Sequence, residues 1–114
     1  MPRTITTIDD LHSYLTLVME RTQDHASEVE QIILAMAGAV ILKKDVGTPI
    51  EVGTYRGNTA NLLWVIIKGQ RYVFTYDHNG GRVIIRQGST QGQEINSFNN
   101  ETTMSRLIRI FNEL

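Results

Sequence analysis

Three histidines, a spaced row of carboxylates and a group of arginines around a tryptophan are the residues of this chain with chemistry to offer. His12 and His25 fall in or beside a helical stretch, and His78 follows Asp77 in a hairpin loop. No two of them stand at i, i+4 and no His-Glu-x-x-His occurs. Zinc asks for three or four converging ligands, so no metal site is expected. Glu20, Asp24 and Glu28 follow one another at steps of four and would share one side of a continuing helix. Such a row can hold a cation or act as acid and base, but a solvated helix face is the plainer account. Ser13, Ser27, Ser89, Ser97 and Ser105 lack the Gly-x-Ser-x-Gly elbow of a nucleophile. Gly80-Gly81 and the Gly88 to Gly92 stretch lack phosphate-loop spacing and read as turns. No catalytic residue and no cofactor is therefore assigned.

The elements that would position these residues belong to a chain of 114 amino acids with formal charge -1 and no cysteine. That length suits one domain over 1–114 with a core of its own. The lack of cysteine excludes disulfides, thiolate metal sites and cysteine nucleophiles, and is compatible with a reducing compartment. The longest apolar run, 32–42, falls well short of the roughly 20 residues that span a bilayer. The start, Met-Pro-Arg-Thr-Ile-Thr-Thr, has no apolar signal core. A cytoplasmic protein with no membrane partner is the expectation.

Residues 7–45 read as helical. Thr7 to Asp10 resembles a capping box, and Ile8, Leu11, Leu15 and Val18 recur at helical spacing, giving a helix near 8–22. Ser27 to Glu30 is a fuller capping box for a second helix. Its apolar residues run almost all round, so it is expected to be buried on most sides. Lys43 and Lys44 suit its negative end, and Gly47 with Pro49 stops it. Ala35, Gly38 and Ala39 offer a smooth side where another backbone could come close, with packing inside the chain the plainer account.

From 49 to 98 the apolar period falls to two. Strands are expected at 50–55, 60–68, 71–77 and 82–87, linked by Gly57-Asn58, Gly69-Gln70 and His78 to Gly81, with a short fifth strand at 94–98. A last helix covers 102–113. The fold class is α+β: a four- to five-stranded antiparallel meander, with two N-terminal helices and one C-terminal helix packed mainly on one face.

Alternation along the strands sorts the side chains into two faces. Leu63, Val65, Ile67, Tyr72, Phe74, Tyr76, Val83 and Ile85, with Ile50 and Val52, form a nearly pure apolar face that should meet the helices. The other face carries Leu62, Trp64, Ile66, Val73 and Ile84, with Thr75 among them, rimmed by Glu51, Tyr55, Lys68, Arg71, Asp77, Arg82 and Arg86. A solvated sheet face should be polar, whereas exposed apolar patches rimmed by Arg and Tyr mark interfaces. We expect a non-catalytic binding module that self-associates as a homodimer or higher oligomer. Trp64, Ile66, Val73, Ile84 and Leu62 would anchor it, and Arg71 and Arg86 would set the register. Tyr55, Asp77, Thr75 and Arg82 could line a pocket at the edge for a small molecule or a protein partner.

Three other readings stay open. A helix could cover this face. A small metal-independent enzyme, a hydrolase or isomerase, could use the edge pocket, although no acid, base and nucleophile converge by spacing. Single-stranded nucleic acid could stack on the basic face, against which stands a chain that is slightly acidic as a whole.

The stretch Trp64-Val65-Ile66-Ile67-Lys68-Gly69-Gln70-Arg71-Tyr72-Val73-Phe74-Thr75-Tyr76-Asp77, the Gly92 loop, Phe98 and Arg109-Ile110-Phe111 resemble the small proteins of integron mobile gene cassettes. The likeness is one of size and layout and brings no diagnostic motif. It implies a compact bacterial cytoplasmic protein, often self-associating, in some cases with a pocket, and it transfers no site residues.

Overall fold

Helix α1 (Ile8–His25) starts where the Thr7 hydroxyl accepts the Asp10 amide at 3.0 Å, the capping contact expected of Thr at this place. The computed structural model describes residues 3–25, 29–55, 58–77 and 79–114, and the side chains of 3–20, 29–53, 62–77 and 79–114. Ahead of α1 lies β1 (Arg3–Ile5). Then follow α2 (Glu30–Lys43), β2 (Ile50–Tyr55), β3 (Asn58–Ile67), β4 (Gln70–Asp77), β5 (Arg82–Gln87), β6 (Glu94–Phe98) and α3 (Met104–Asn112).

The strands form one antiparallel sheet in the order β1-β2-β3-β4-β5-β6. It has six strands, not the four or five expected. The extra strand is β1, which puts sheet outside the 49–98 stretch and ahead of the helical one. Three residues carry no readable period, and their pairing, Arg3 with Val52 and Ile5 with Ile50, joins segments more than 40 positions apart.

Glycine and its neighbours set the hairpins. Lys68 (φ 52°) and Gly69 (φ 78°) are the two turn residues between β3 and β4, so Ile67 pairs with Gln70. Positive φ at both centres is the two-residue turn that matches strand twist. The turn expected at Gly69-Gln70 thus sits one residue earlier, and Trp64 faces Val73 instead of Thr75. The register slips by two, and each side chain keeps its face. Asp45 explains the choice: its carboxylate accepts the amides of Lys68 and Gly69, both at 2.7 Å. At the other hairpins Asp77 pairs with Arg82, and Tyr55 with Asn58. Asn58 therefore belongs to its strand; Gly57 lies outside the described residues.

All three helices pack on the same side of the sheet. The core joins Ile50, Val52, Leu63, Val65, Ile67, Tyr72, Phe74, Val83, Ile85 and Phe98 to Tyr14, Val29, Ile32, Met36, Val40, Leu107, Ile110 and Phe111. At its centre Phe74 stacks on Phe111 at 5.7 Å between centroids, with Phe98 tilted against both. Helix α2 departs from expectation at its start. Ser27 lies outside the described residues, and the N-cap position is Val29, which makes no side-chain cap bond. The cap comes from the β6–α3 loop, where Asn100 Oδ1 accepts the Gln31 and Ile32 amides at 2.9 and 3.0 Å.

Candidate functional site on the outer sheet face

Among the described residues no helix lies over the second face of the sheet. Its centre is built in two levels. Val73 and Ile84 are 0% and 5% exposed although they belong to no helix-facing core, so neighbouring side chains on the same face bury them. Leu62, Trp64 and Ile66 stand higher, half-buried. Pairing fixes the arrangement: Trp64 faces Val73, Leu62 faces Thr75, and Thr75 faces Ile84 on the next strand.

Arg71 lies over Trp64, its guanidinium carbon 5.5 Å from the ring centroid, and a guanidinium is attracted to the electron-rich face of an indole. The same side chain approaches Glu51 at 3.8 Å. Arg86 donates to the Gly92 carbonyl at 3.2 Å. Arg82 reaches Asp77 and Glu94, each at 3.4 Å, and Ser97 Oγ at 3.1 Å. The Asp77 carboxyl is held below the usual carboxylate range, first by the Gly80 amide and further by Arg82 and the Asn79 amide. These pairs are partly exposed, so water and salt screen them and each contributes little to stability.

The structure therefore brings Leu62, Trp64, Ile66, Val73, Ile84, Arg71 and Arg86 onto one face, but in two roles. Val73 and Ile84 are a floor with little area left to bury. Leu62, Trp64, Ile66 and Arg71 form the surface above it. Of the residues set down for an edge pocket, Asp77 and Arg82 meet, and Thr75 lies between Leu62 and Ile84. The side chain of Tyr55 and all of His78 lie outside the described residues. Sequence reading missed Glu94 and Ser97 as partners of Arg82: Ser97 faces Ile84 on the neighbouring strand, and a register shift between Ile85 and Arg86 sets Glu94 opposite Arg86.

A cleft opens on the other side of the sheet. Leu11, Tyr14 and Val18 of α1 face Ile33 and Met36 of α2 and Leu63 of β3 across a gap too narrow for more than a solvent-sized guest. Its walls are apolar. Burial there pushes the Tyr14 hydroxyl up to about 12, against a smaller opposite pull from Arg3. Among the described residues no three His, Asp or Glu side chains come together as a metal would need. No helix among them is long and apolar enough to cross a membrane.

Fold and site define a small α+β protein with helices on one face of an antiparallel sheet and an Arg-rimmed, Trp-centred opposite face. Residues 11–108 match the family model described as integron cassette protein VCH_CASS1 chain, and the chain belongs to that family. The match runs from within α1 to within α3, so it takes in β2 to β6 and leaves out β1. Comparison with curated proteins gave no match.

Proposed function

We propose that this protein is a non-catalytic interaction module that joins a second copy of itself through the outer sheet face centred on Trp64. One observation carries the reading: Trp64, flanked by half-buried Leu62 and Ile66 and roofed by Arg71, stands on a sheet face that no helix among the described residues covers. The occupant follows from the rim. Glu51 beside Arg71, and Asp77 and Glu94 beside Arg82, place both charges around the apolar centre. A two-fold pairing sets the patch against itself, so an arginine of one copy meets a carboxylate of the other and no charge is stranded. Leu62, Trp64 and Ile66 supply the apolar contact, and Arg71 and Arg86 the register.

The enzyme and nucleic-acid readings have less support. Asp77 is engaged by Arg82 and backbone amides, and Arg71 and Arg82 each face a carboxylate that competes with phosphate. A cytoplasmic setting fits a cysteine-free chain.

Light scattering coupled to size-exclusion chromatography tests the proposal on wild type and Trp64→Asp, with circular dichroism to confirm folding. Wild type should be a dimer or larger, and the folded variant should lose one step of assembly. A folded variant with the wild-type mass overturns the proposal.

A further inference from the structure

Three large exposed apolar side chains stand together on one side of α2, away from the sheet. Leu34, Ile41 and Leu42 are 60%, 48% and 78% exposed, and from Gln31 to Leu42 the helix carries no charge. A helix that is apolar all round is ordinarily buried all round. This one is covered on one side only.

Gly38 sits in the middle of that bare side. A Cβ built on it would meet nothing within 4 Å, and its φ is not in the left-handed region. Neither backbone conformation nor packing within the chain requires glycine here, yet glycine inside a helix weakens it relative to alanine. A close approach by another body from outside gives the residue a use.

The residues around Gly38 say which body. Leu34 precedes it by four positions and Leu42 follows it by four; Ala35 precedes it by three and Ile41 follows it by three. An antiparallel two-fold contact centred on Gly38 therefore sets Leu34 of one chain against Leu42 of the other, and small Ala35 against large Ile41. The two glycines meet at the axis, where their lack of side chains lets the helices come close. Burying the three large side chains on both copies removes on the order of 700 Å² from water, more than half of the lower limit for a stable interface, before Gln31, Ala35 and Gly38 are counted.

We infer that the exposed face of α2 is a second self-association surface, pairing with α2 of another copy in antiparallel fashion about Gly38. This does not rest on the sheet-face reading. The two surfaces lie on opposite layers of the chain, so together they build a tetramer if their axes close, or an open chain of copies if they do not.

The absence of cysteine makes the test direct. Gly38→Cys should form an intermolecular disulfide under mild oxidation, whereas Leu17→Cys, exposed on α1, should not. Leu34→Glu, at an exposed position, should lower the solution mass in both wild-type and Trp64→Asp backgrounds, and by half in Trp64→Asp. No Gly38→Cys cross-link, or a folded Leu34→Glu protein with unchanged mass, overturns the inference. Because Trp64→Asp is scored separately, failure of one surface leaves the other standing.

Discussion

The side-chain oxygen of Asn100 accepts the backbone N–H of Ile32 at 3.0 Å, and that of Gln31 at 2.9 Å. The loop that enters α3 thus serves as the N-terminal cap of α2, from 68 positions further along the chain. The contact ties the first turn of a largely apolar helix to the C-terminal part of the fold.

Removing this cap has a defined cost. Asn100→Ala should destabilise the protein by about 1–2 kcal/mol, the usual penalty for a lost helix cap when two amides lose their acceptor. Asn100→Asp keeps an acceptor and adds a negative charge at the positive helix end, so it should retain most of the stability. Urea unfolding is the measurement, with a lower midpoint and an unchanged slope expected for Asn100→Ala.

A second position concerns the loop before β6. A Cβ at Gly92 would collide with the Gln87 carbonyl oxygen, so the loop cannot close around any other residue without moving backbone. Gly92 also presents the carbonyl that Arg86 binds. Gly92→Ala should cost more than about 2 kcal/mol, above the ordinary surface substitution. Gly88→Ala is the comparison: its φ of 82° brings strain but its surroundings are open, so a smaller loss is expected in thermal denaturation.

Tyr14 sets an alkaline limit. Its hydroxyl, at 10.0 in the unfolded chain and raised by burial to about 12 in the fold, stays protonated in the native state while the unfolded chain ionises. Its contribution to stability is complete below pH 10 and is lost as pH rises towards about 12, roughly 2–3 kcal/mol in all. Denaturation curves at pH 9 and pH 11.5 should show that loss in wild type and much less of it in Tyr14→Phe. Absorbance near 295 nm should place one tyrosine late in the titration.

The faces of the sheet were legible because alternation survives errors in pairing. Moving the β3–β4 turn from Gly69-Gln70 to Lys68-Gly69 changes the partner of Trp64 from Thr75 to Val73 but shifts the register by two, which is one full period of the strand. The turn itself was not legible. Lys68 accepts a positive φ because Asp45, 23 positions earlier, binds its amide and that of Gly69. Nor could alternation separate the floor residues Val73 and Ile84 from the taller Trp64, since depth on a face depends on which side chains lean over which.

What the sequence determined by itself is what local period and turn chemistry encode: three helices, a meander of strands, the sorting of Leu63 to the core and Trp64 to the outer face, and the family resemblance. Only the tertiary structure decided the sixth strand, the cap that Asn100 lends to α2, the pairing of Arg71 with Glu51 and of Arg82 with Glu94, and the exposure of Leu34 and Leu42. Each of these depends on groups far apart in the chain meeting in space. Burial is a property of the assembled layers: α2 reads as a helix to be covered on most sides, and the fold leaves Leu34, Ile41 and Leu42 exposed.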